Sequence, residues 1–336
     1  MAKTAVVILN WNGEAHLRRF LPSVVANTPS NADIIVADNG STDGSVELLC
    51  REFPSVRVIR LEQNFGFAEG YNRALESVDA DYCVLLNSDV ETPEGWLEPL
   101  IERLESSTKI AAVAPKLLSS ENRDEFEYAG ASGGFIDWLG YPFCRGRILQ
   151  SVERDEGQYD DAREVFWISG AAFCCRTEVF KRLGGFAPEF FAHMEEIDLC
   201  WRMQLAGYKV MIEPVSRVYH LGGGTLVKNS PRKIFYNHRN NLAMLFRCAP
   251  TLNRFTVAPL RLVTDMLAAL SYLAQGEPRW ALAVVKAYRD FLKWHGRLAA
   301  ERRAIRGAAV AESSQIYKGS IVLRYMLGGR KFGKIM

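Results

Sequence analysis

The chain is poor in the residues that bind metal through sulfur or imidazole. Its seven cysteines (Cys50, Cys83, Cys144, Cys174, Cys175, Cys200 and Cys248) are odd in number, show no CxxC spacing and mostly sit inside apolar runs, and there are only five histidines among 336 residues. Such usage argues against a disulfide framework and a thiolate zinc site, and is expected of reduced core cysteines in a cytosolic compartment. The opening "MAKTAVVILNWNG" enters a strand-like run after three residues and has no small-residue cleavage pattern, so no signal peptide is expected. Internal repeats and low-complexity tracts are absent too. The most apolar stretch, "TVAPLRLVTDMLAALSYLAQG", is interrupted by Arg261 and Asp265, and its uncharged part, Met266 to Gly276, is too short to span a bilayer.

What is present is a globular composition, 48% hydrophobic, enough to bury one large core or two modest ones. The net charge of +2 hides an asymmetry: residues 1–227 hold 21 Lys+Arg against 34 Asp+Glu, residues 228–336 hold 20 against 5. The acidic front alternates strand-like runs, "TAVVILN" (4–10), "DIIVADN" (33–39), "VRVIRLE" (56–62), "DYCVLLN" (81–87) and "IAAVAPKLL" (110–118), with helix-patterned stretches such as "EAHLRRFLPSVV" and "SVELLCREF". Repeated βα units predict an α/β fold with a mostly parallel sheet covered by helices, in which ligands collect outside the carboxyl ends of the strands. Residues 119–165 are Gly- and aromatic-rich and read as hairpins or a loop over that crevice. Then come "VFWISGAAFCCR" as a buried strand, a short helix, and "EEIDLCWRMQLAGYKV", a helix that stops at Gly207 and passes into another strand.

Polar residues gather where the strand runs end: Asn10, Trp11 and Asn12 after the first, Asp38 and Asn39 after the second, Asn64 after the third, and Asn87, Ser88 and Asp89 after the fourth. Any one of these ends is explained by a turn, since Asn, Ser and Asp satisfy turn backbone locally. Four of them aimed at one crevice point to a ligand. In "HMEEIDLCWR" an acidic first turn favours the helix dipole, and Asp198 with Arg202 forms an ordinary i, i+4 pair. That account fits Glu195 and Glu196 less well, because their neighbours are apolar and desolvation would raise a carboxyl toward the range useful to a general base. His220, in "YHLGGGT", reads as a structural histidine or as a ligand contact; the three glycines after it allow close backbone approach to a ligand or a mobile loop.

The ordered segments "VVILNWNG", "VADNGSTDGS", "NFGFAEGYNRAL", "LLNSDV", "ISGAAFCCRTEVFKRLGGFAPEFF", "EEIDLCWRMQLAGYKV" and "YHLGGG" resemble family 2 glycosyltransferases of the GT-A fold, in particular the bacterial rhamnosyltransferase-like branch, over roughly residues 4–247. The resemblance implies a Rossmann-like nucleotide-diphospho-sugar transferase domain at 1–247, with a nucleotide-binding half (1–118) and an acceptor and catalytic half (119–247). It implies that Trp11 stacks on the base of a UDP- or dTDP-linked donor and that Asp38 accepts the N3 proton of uracil or thymine. Asn10, Asn12 and Asn39 would belong to the same nucleotide end, and Asn64 and Asn72 would line ribose and diphosphate. "LLNSDV" stands where the family has its D-x-D motif, so Asn87, Ser88 and Asp89 would meet the nucleotide sugar and Asp89 would bind Mg²⁺ or Mn²⁺, with His220 as a second metal or diphosphate contact. A hard divalent ion keeps phosphates and waters in its shell, so one protein carboxylate suffices. "EEIDL" matches the family's acidic pair, whose second residue is the base; here that is Glu196, with Glu195 as the alternative and Asp198 behind them.

The implied activity is an inverting, metal-dependent transfer of a sugar, rhamnose being one candidate, to a saccharide acceptor, on a lipid carrier, in cell-surface polysaccharide assembly. Asn87 where the family often has Asp, and Glu196 where it often has Asp, leave a catalytically inert nucleotide-sugar-binding or scaffold subunit as an alternative. A nucleotidylyltransferase is a further alternative, weakened by the missing Gly-rich phosphate loop with its basic residue. Residues 248–336 read as a basic helical region. In "PRWALAVVKAYRDFLKWHGR", Lys286, Arg289, Lys293 and Arg297 recur at helical spacing beside apolar faces, which suits either an anionic membrane surface or a helical pair packed on the domain. No nucleic-acid-binding motif is present, and the expectation is a cytoplasmic enzyme, peripheral on the inner membrane.

Overall fold

The computed structural model describes residues 2–222 and 230–334. Its front half runs β1 (Thr4–Asn10), α1 (Glu14–Asn27), β2 (Ala32–Asp38), α2 (Ser45–Glu52), β3 (Arg57–Arg60), α3 (Gly66–Glu76), β4 (Tyr82–Asn87), β5 (Val90–Glu91), α4 (Glu98–Glu105) and β6 (Ile110–Ser119). Next come four short strands, β7 (Gly134–Asp137), β8 (Pro142–Cys144), β9 (Arg147–Ile148) and β10 (Ser151–Val152). They are followed by β11 (Arg163–Glu164), β12 (Ala172–Arg176), α5 (Thr177–Arg182), α6 (Glu195–Leu205) and β13 (Lys209–His220). The rear holds α7 (Pro231–Cys248), α8 (Thr251–Ala274), α9 (Pro278–Lys293), α10 (His295–Gly307), β14 (Ile316–Tyr317) and α11 (Ile321–Met326).

The main sheet has the order β11-β13-β6-β12-β4-β1-β2-β3, with β5 added on β13. Pairs β1/β2, β1/β4, β2/β3 and β6/β13 are parallel, as βα repetition predicts, but β12 inserts antiparallel between β4 and β6. The "VFWISGAAFCCR" strand is therefore shorter than its apolar length suggests. Only Ala172–Arg176 joins this sheet, while Trp167 bridges to Gly134 in the second sheet, after which Ser169 Oγ caps the turn by accepting from Ala171 N at 3.2 Å.

Side chains alternate across each strand, and both faces are covered, so the strands read as unbroken apolar runs. Ala5 and Val7 pack with Ala68, Tyr71 and Ala74 of α3 on one face. Val6 and Ile8 pack with Leu17, Leu21 and Val24 of α1 on the other. Gly207, at φ +85°, ends the turn after α6 and allows Tyr208 N to reach back to Met203 O at 3.0 Å, which sends the chain into β13.

Within residues 119–165 the hairpin reading holds: β7 to β10 pair antiparallel in succession and make a second small sheet in the order β10-β9-β8-β7-β14. Its fifth strand comes from the C-terminal region, pairing Ile316 and Tyr317 parallel with Ile136 and Asp137. Phe332 packs its ring against Phe135, Phe143 and Tyr159. The break expected at residue 247 thus falls within continuous packing, and the rear of the chain completes the core rather than following it.

Candidate active site

The carboxyl ends of β1 and β2 meet in register, Asn10 opposite Asp38. Asn10 Nδ2 donates to Asp38 Oδ1 (3.1 Å) and Ser41 Oγ (3.2 Å), and Ser41 N donates to Asp38 Oδ2 (3.1 Å). Asn10 and Asp38 are buried, and Asn10 Oδ1 has no partner, so the pair presents fixed polar atoms at the carboxyl ends of β1 and β2. Trp11, the next residue, is 44% exposed. Asn12 sits at φ +49°, where Asn is tolerated, with its N–H donating to Ser41 Oγ (2.9 Å) and its Oδ1 accepting from Thr42 N (2.7 Å). Ser41, which organises this end, was not singled out by sequence reasoning; its only signal is its place in the turn "NGSTDGS".

Asn39, expected at the nucleotide end, and Asn64 and Asn72, expected at ribose and diphosphate, are all engaged in hydrogen bonds within the chain. Asn39 donates to Asn64 Oδ1 (3.2 Å) and Gly66 O (3.0 Å) and accepts from Phe65 N (3.0 Å). The oxygen of Asn64 also accepts from Gly66 N (2.8 Å). Asn72 clamps Phe186, donating to its O (2.8 Å) and accepting from its N (2.9 Å). The carboxamides of Asn39 and Asn72 therefore shape the loop before α3 and fasten α3 to Phe186, roles that periodicity could not reveal.

At the end of β4 the chain makes a turn through Ser88 and Asp89 into β5. Strand β13 then pairs antiparallel with β5, placing His220 opposite Val90, and Leu221 N donates to Asp89 O at 3.1 Å. This register delivers the His220 ring: Nε2 lies 3.1 Å from Asp89 Oδ1 and 3.4 Å from Asn87 Nδ2, while Nδ1 lies 3.3 Å from Glu127 Oε1. Burial opposes the charged form of His220, but Glu127 and Asp89 outweigh it and push the imidazole up to about 10. Burial would raise the Asp89 carboxyl, and His220 more than reverses that, lowering it.

A site for Mg²⁺ or Mn²⁺ here would be held by Asp89 and His220. The donor set fits once the imidazole gives up its Nε2 proton: the carboxylate oxygen and ring nitrogen, 3.1 Å apart as an ion pair, are spaced as adjacent ligands of an octahedral ion would be, since bonds of about 2.1 Å at a right angle end about 3 Å apart. Among the described residues no cluster of three or more His, Cys, Asp or Glu side chains suited to a metal occurs, so the remaining positions fall to ligand oxygens and water. Of the three glycines after Leu221, Gly222 is at φ +72°; Gly223 and Gly224 lie outside the described residues.

Helix α6 carries the acidic pair. Its approach is backbone-strained: Phe191, His193 and Met194 all have positive φ (64°, 70° and 72°). Asn240 on α7, fully buried, holds this segment by donating to Phe190 O (3.0 Å), Ala192 O (3.0 Å) and His193 O (2.7 Å). From the other side Phe67 N and Ala68 N, at the start of α3, donate to Phe191 O at 2.7 and 3.2 Å. Glu195 Oε2 and Glu196 Oε2 are buried without partners. Burial raises both carboxyls, Glu196 to about 7 and Glu195 well above the ordinary range, the latter also through its charged neighbour. Glu196 is the more open of the two.

A side chain on Gly170 would meet Phe67 Cζ at 3.2 Å and Glu196 Cβ at 3.9 Å. The adjoining Ala171 O accepts from Asn87 N at 3.0 Å. Glu196 thus stands over the junction of β12 with the end of β4. Asp198, expected with the pair, is fully buried and belongs to structure: Arg202 Nε reaches it at 2.8 Å, Arg247 pairs with its other oxygen, and despite burial the two guanidinium groups hold its carboxyl low.

A model of the family described as "Glycosyl transferase family 2" matches residues 5–184, more than half of the chain. N-acetylglucosaminyl-diphospho-decaprenol L-rhamnosyltransferase of Mycobacterium tuberculosis is 26% identical over 258 residues, covering 71% of this chain and 83% of that protein. Pre-mycofactocin glycosyltransferase of the same organism is 29% identical over 240 residues, 69% of this chain and 45% of the relative. Among solved structures, GalNAc-T7 with UDP, GalNAc and Mn²⁺ superposes with a TM-score of 0.59 at 18% identity, covering 90% of this chain and 58% of that one. Staphylococcus aureus TarS 1–349 with UDP-GlcNAc gives 0.57 at 16%, covering 91% and 87%. The Pyrobaculum calidifontis mannosyltransferase with GDP-Man and Mn²⁺ gives 0.53 at 15%, covering 92% and 86%. These structures share its GT-A fold, and the protein belongs to glycosyl transferase family 2.

Proposed function

We propose that this chain is an inverting, metal-dependent glycosyltransferase that moves a sugar from a nucleoside-diphosphate donor to a saccharide acceptor on a lipid carrier, in the assembly of cell-surface polysaccharide. The observation that carries the reading is Glu196, a carboxyl with one buried oxygen lacking a partner and raised to about 7 over the end of β4, where Asp89 and His220 stand together. In the proposed reaction Asp38 accepts the N3 proton of uracil or thymine, held in place by Asn10 and Ser41, and Trp11 offers its exposed face to the base. Glu196 takes the acceptor hydroxyl's proton as that oxygen bonds to the anomeric carbon and the bond to the diphosphate breaks, inverting the centre. The divalent ion, when bound, offsets charge on the departing diphosphate. Relatives support the substrate classes: the names of two neighbours include Mn²⁺ with UDP or GDP-Man, and that of the mycobacterial relative a decaprenyl diphosphate acceptor.

The lipid-linked acceptor is also supported by the rear helices. Phe255–Ala274 of α8 is long and apolar enough to cross a membrane by length and composition. Its charged residues, however, lock it to the domain. Arg261 donates to Asp265, Leu139 O (2.9 Å) and Asn241 Oδ1 (2.7 Å), and Tyr141, Tyr288 and His238 close around Asp265. Crossing a bilayer would strip those partners from a buried ion pair. Leu260, Val263, Leu267, Leu270 and Leu273 of α8 and Leu282, Val285 and Leu292 of α9 remain exposed, with Lys286, Arg289 and Lys293 beside them. We read this as a surface that lies on an anionic leaflet.

The test of the activity is Mn²⁺-dependent turnover of UDP- and dTDP-sugars, with donors first sorted by thermal shift, since a saturating ligand stabilises the fold by a few kcal/mol. Hydrolysis or transfer lost in Asp89→Ala supports the enzyme; donor binding with no turnover under any condition would leave a binding subunit. For the surface, co-sedimentation with phosphatidylglycerol vesicles at low salt is expected, and its absence would argue against membrane apposition.

A further inference from the structure

The geometry points to Glu127 as the residue that positions His220 for the metal, a carboxylate set behind the imidazole. The inference rests on the metal site proposed above and deepens it. Glu127 lies in the segment after β6 where the sequence shows no decodable pattern, yet its backbone is fixed. Its N–H donates to Leu117 O at 3.0 Å, and the neighbouring Phe126 bridges Leu118. The side chain is buried, Oε2 accepts from Ala129 N at 2.6 Å, and Oε1 lies 3.3 Å from His220 Nδ1.

Asp89 and Glu127 therefore approach opposite nitrogens of one ring. A carboxylate needed only to cap its own turn would be satisfied by Ala129 and has no reason to be sealed against an imidazole. Gly222 maintains the approach: at φ +72° it packs where a side chain would meet Glu127 Oε1 at 3.2 Å. Nδ1 stands at ion-pair distance from Glu127 without completing a hydrogen bond, and Nε2 faces Asp89; an ion beside Asp89 would displace the Nε2 proton and turn Nδ1–H to Glu127, as histidines that ligate metals are regularly oriented, and losing the outer partner typically costs 10–100-fold in affinity. Glu127 stands on the far side of the ring from Asp89, so its action is on the ligand and not on the ion.

The experiment titrates full-length protein with Mn²⁺, following free Mn²⁺ by electron paramagnetic resonance, in wild type, Glu127→Gln, Glu127→Leu, His220→Ala and Asp89→Ala. A second readout is the His220 tautomer from ¹⁵N correlation spectra with Mg²⁺. Expected are 10–100-fold weaker Mn²⁺ binding and loss of a fixed Nδ1–H tautomer in Glu127→Leu, with partial recovery in Glu127→Gln, whose carboxamide oxygen still accepts from Nδ1. UDP binding without metal should be unchanged. If Glu127→Leu does not fold, Glu127→Gln decides alone, with several-fold weaker Mn²⁺ binding expected. Wild-type Mn²⁺ affinity and tautomer in the Glu127 variants, with binding lost in Asp89→Ala and His220→Ala, would overturn the role of Glu127 while leaving the metal site. Unchanged binding in Asp89→Ala would overturn the metal site and this inference with it.

Discussion

Glu196 and Asp198 stand two residues apart on α6, both acidic and both surrounded by apolar neighbours, and the fold drives their carboxyls in opposite directions. Asp198 is held ionised by Arg202 of its own helix and by Arg247 of α7, and Arg247 continues to Glu189 (3.3 Å) and to Glu301 of α10 (2.9 Å). Glu196 has a buried oxygen without a hydrogen-bond partner, and burial outweighs the backbone hydrogen bonds to the carboxyl and sets its titration upward. Charge pairing turns a carboxylate into a fastener between helices. A second one on the same helix, raised by burial, is left as the proposed base.

The largest expected effect tests that division directly. Glu196→Gln is expected to cut turnover by about 10²–10⁴-fold, the usual contribution of a positioned general base, while the thermal midpoint stays at or above the wild-type value. A variant that kept substantial turnover would transfer the role to Glu195. Asp198→Asn is expected to do the reverse, costing about 3–5 kcal/mol in denaturant unfolding by removing the buried charge that pairs with Arg202 and that Arg247 shares with Glu189 and Glu301. Its activity should fall only as far as folding does. Loss of activity in fully folded Asp198→Asn would restore Asp198 to the catalytic group.

The pH dependence sharpens the contrast further. A carboxyl raised in the folded state binds more protons there than in the unfolded chain, so Glu195 and Glu196 cost stability as pH rises from about 4.5 through 7. Asp198, held low, contributes stability above its unfolded pKa of about 3.9 and loses it as pH falls below that. Glu196→Gln should therefore gain about 1–3 kcal/mol over wild type at pH 8 and little at pH 4. Wild-type turnover should rise with pH to a plateau above about 7. Equal stability of variant and wild type at both pH values would show that Glu196 is not held protonated.

Much of this was legible in the sequence, because local signals carried it. The runs at 4–10 and 81–87 announced β1 and β4, since a strand covered on both faces must be apolar throughout. The i, i+4 spacing of Asp198 and Arg202 announced their pair, although Arg247, from 49 positions away, could not be anticipated. Pairing across long separations was the hidden part. The antiparallel insertion of β12, the register of β13 that brings His220 to Asp89, and β14 joining β7 all depend on which distant backbone edges meet. Asn39 and Asn72 illustrate the same limit at the site. Residue type and position at a strand end or helix face suggested ligand contact, and only the fold shows their carboxamides taken by Phe65, Gly66 and Phe186.

The smallest effect tests what keeps the two carboxyls apart. Positive-φ residues such as Phe191, His193 and Met194 cost of order 1–3 kcal/mol each and persist only where surroundings over-determine them. Here the constraint is Asn240, whose amide gathers three carbonyls of the segment just before Glu195. In Asn240→Ala those carbonyls lose their donor, at a cost of about 1–3 kcal/mol, and the first turn of α6 is freed to relax toward ordinary φ. Glu196 would then reach water more often, and the pH midpoint of turnover should fall by a fraction of a unit toward the usual carboxylate range. Asp198, anchored through Arg202 and Arg247, should keep its acid-side stability profile unchanged. A variant equally destabilised but with the wild-type pH midpoint would show that the strained segment supports the helix and does not tune its base.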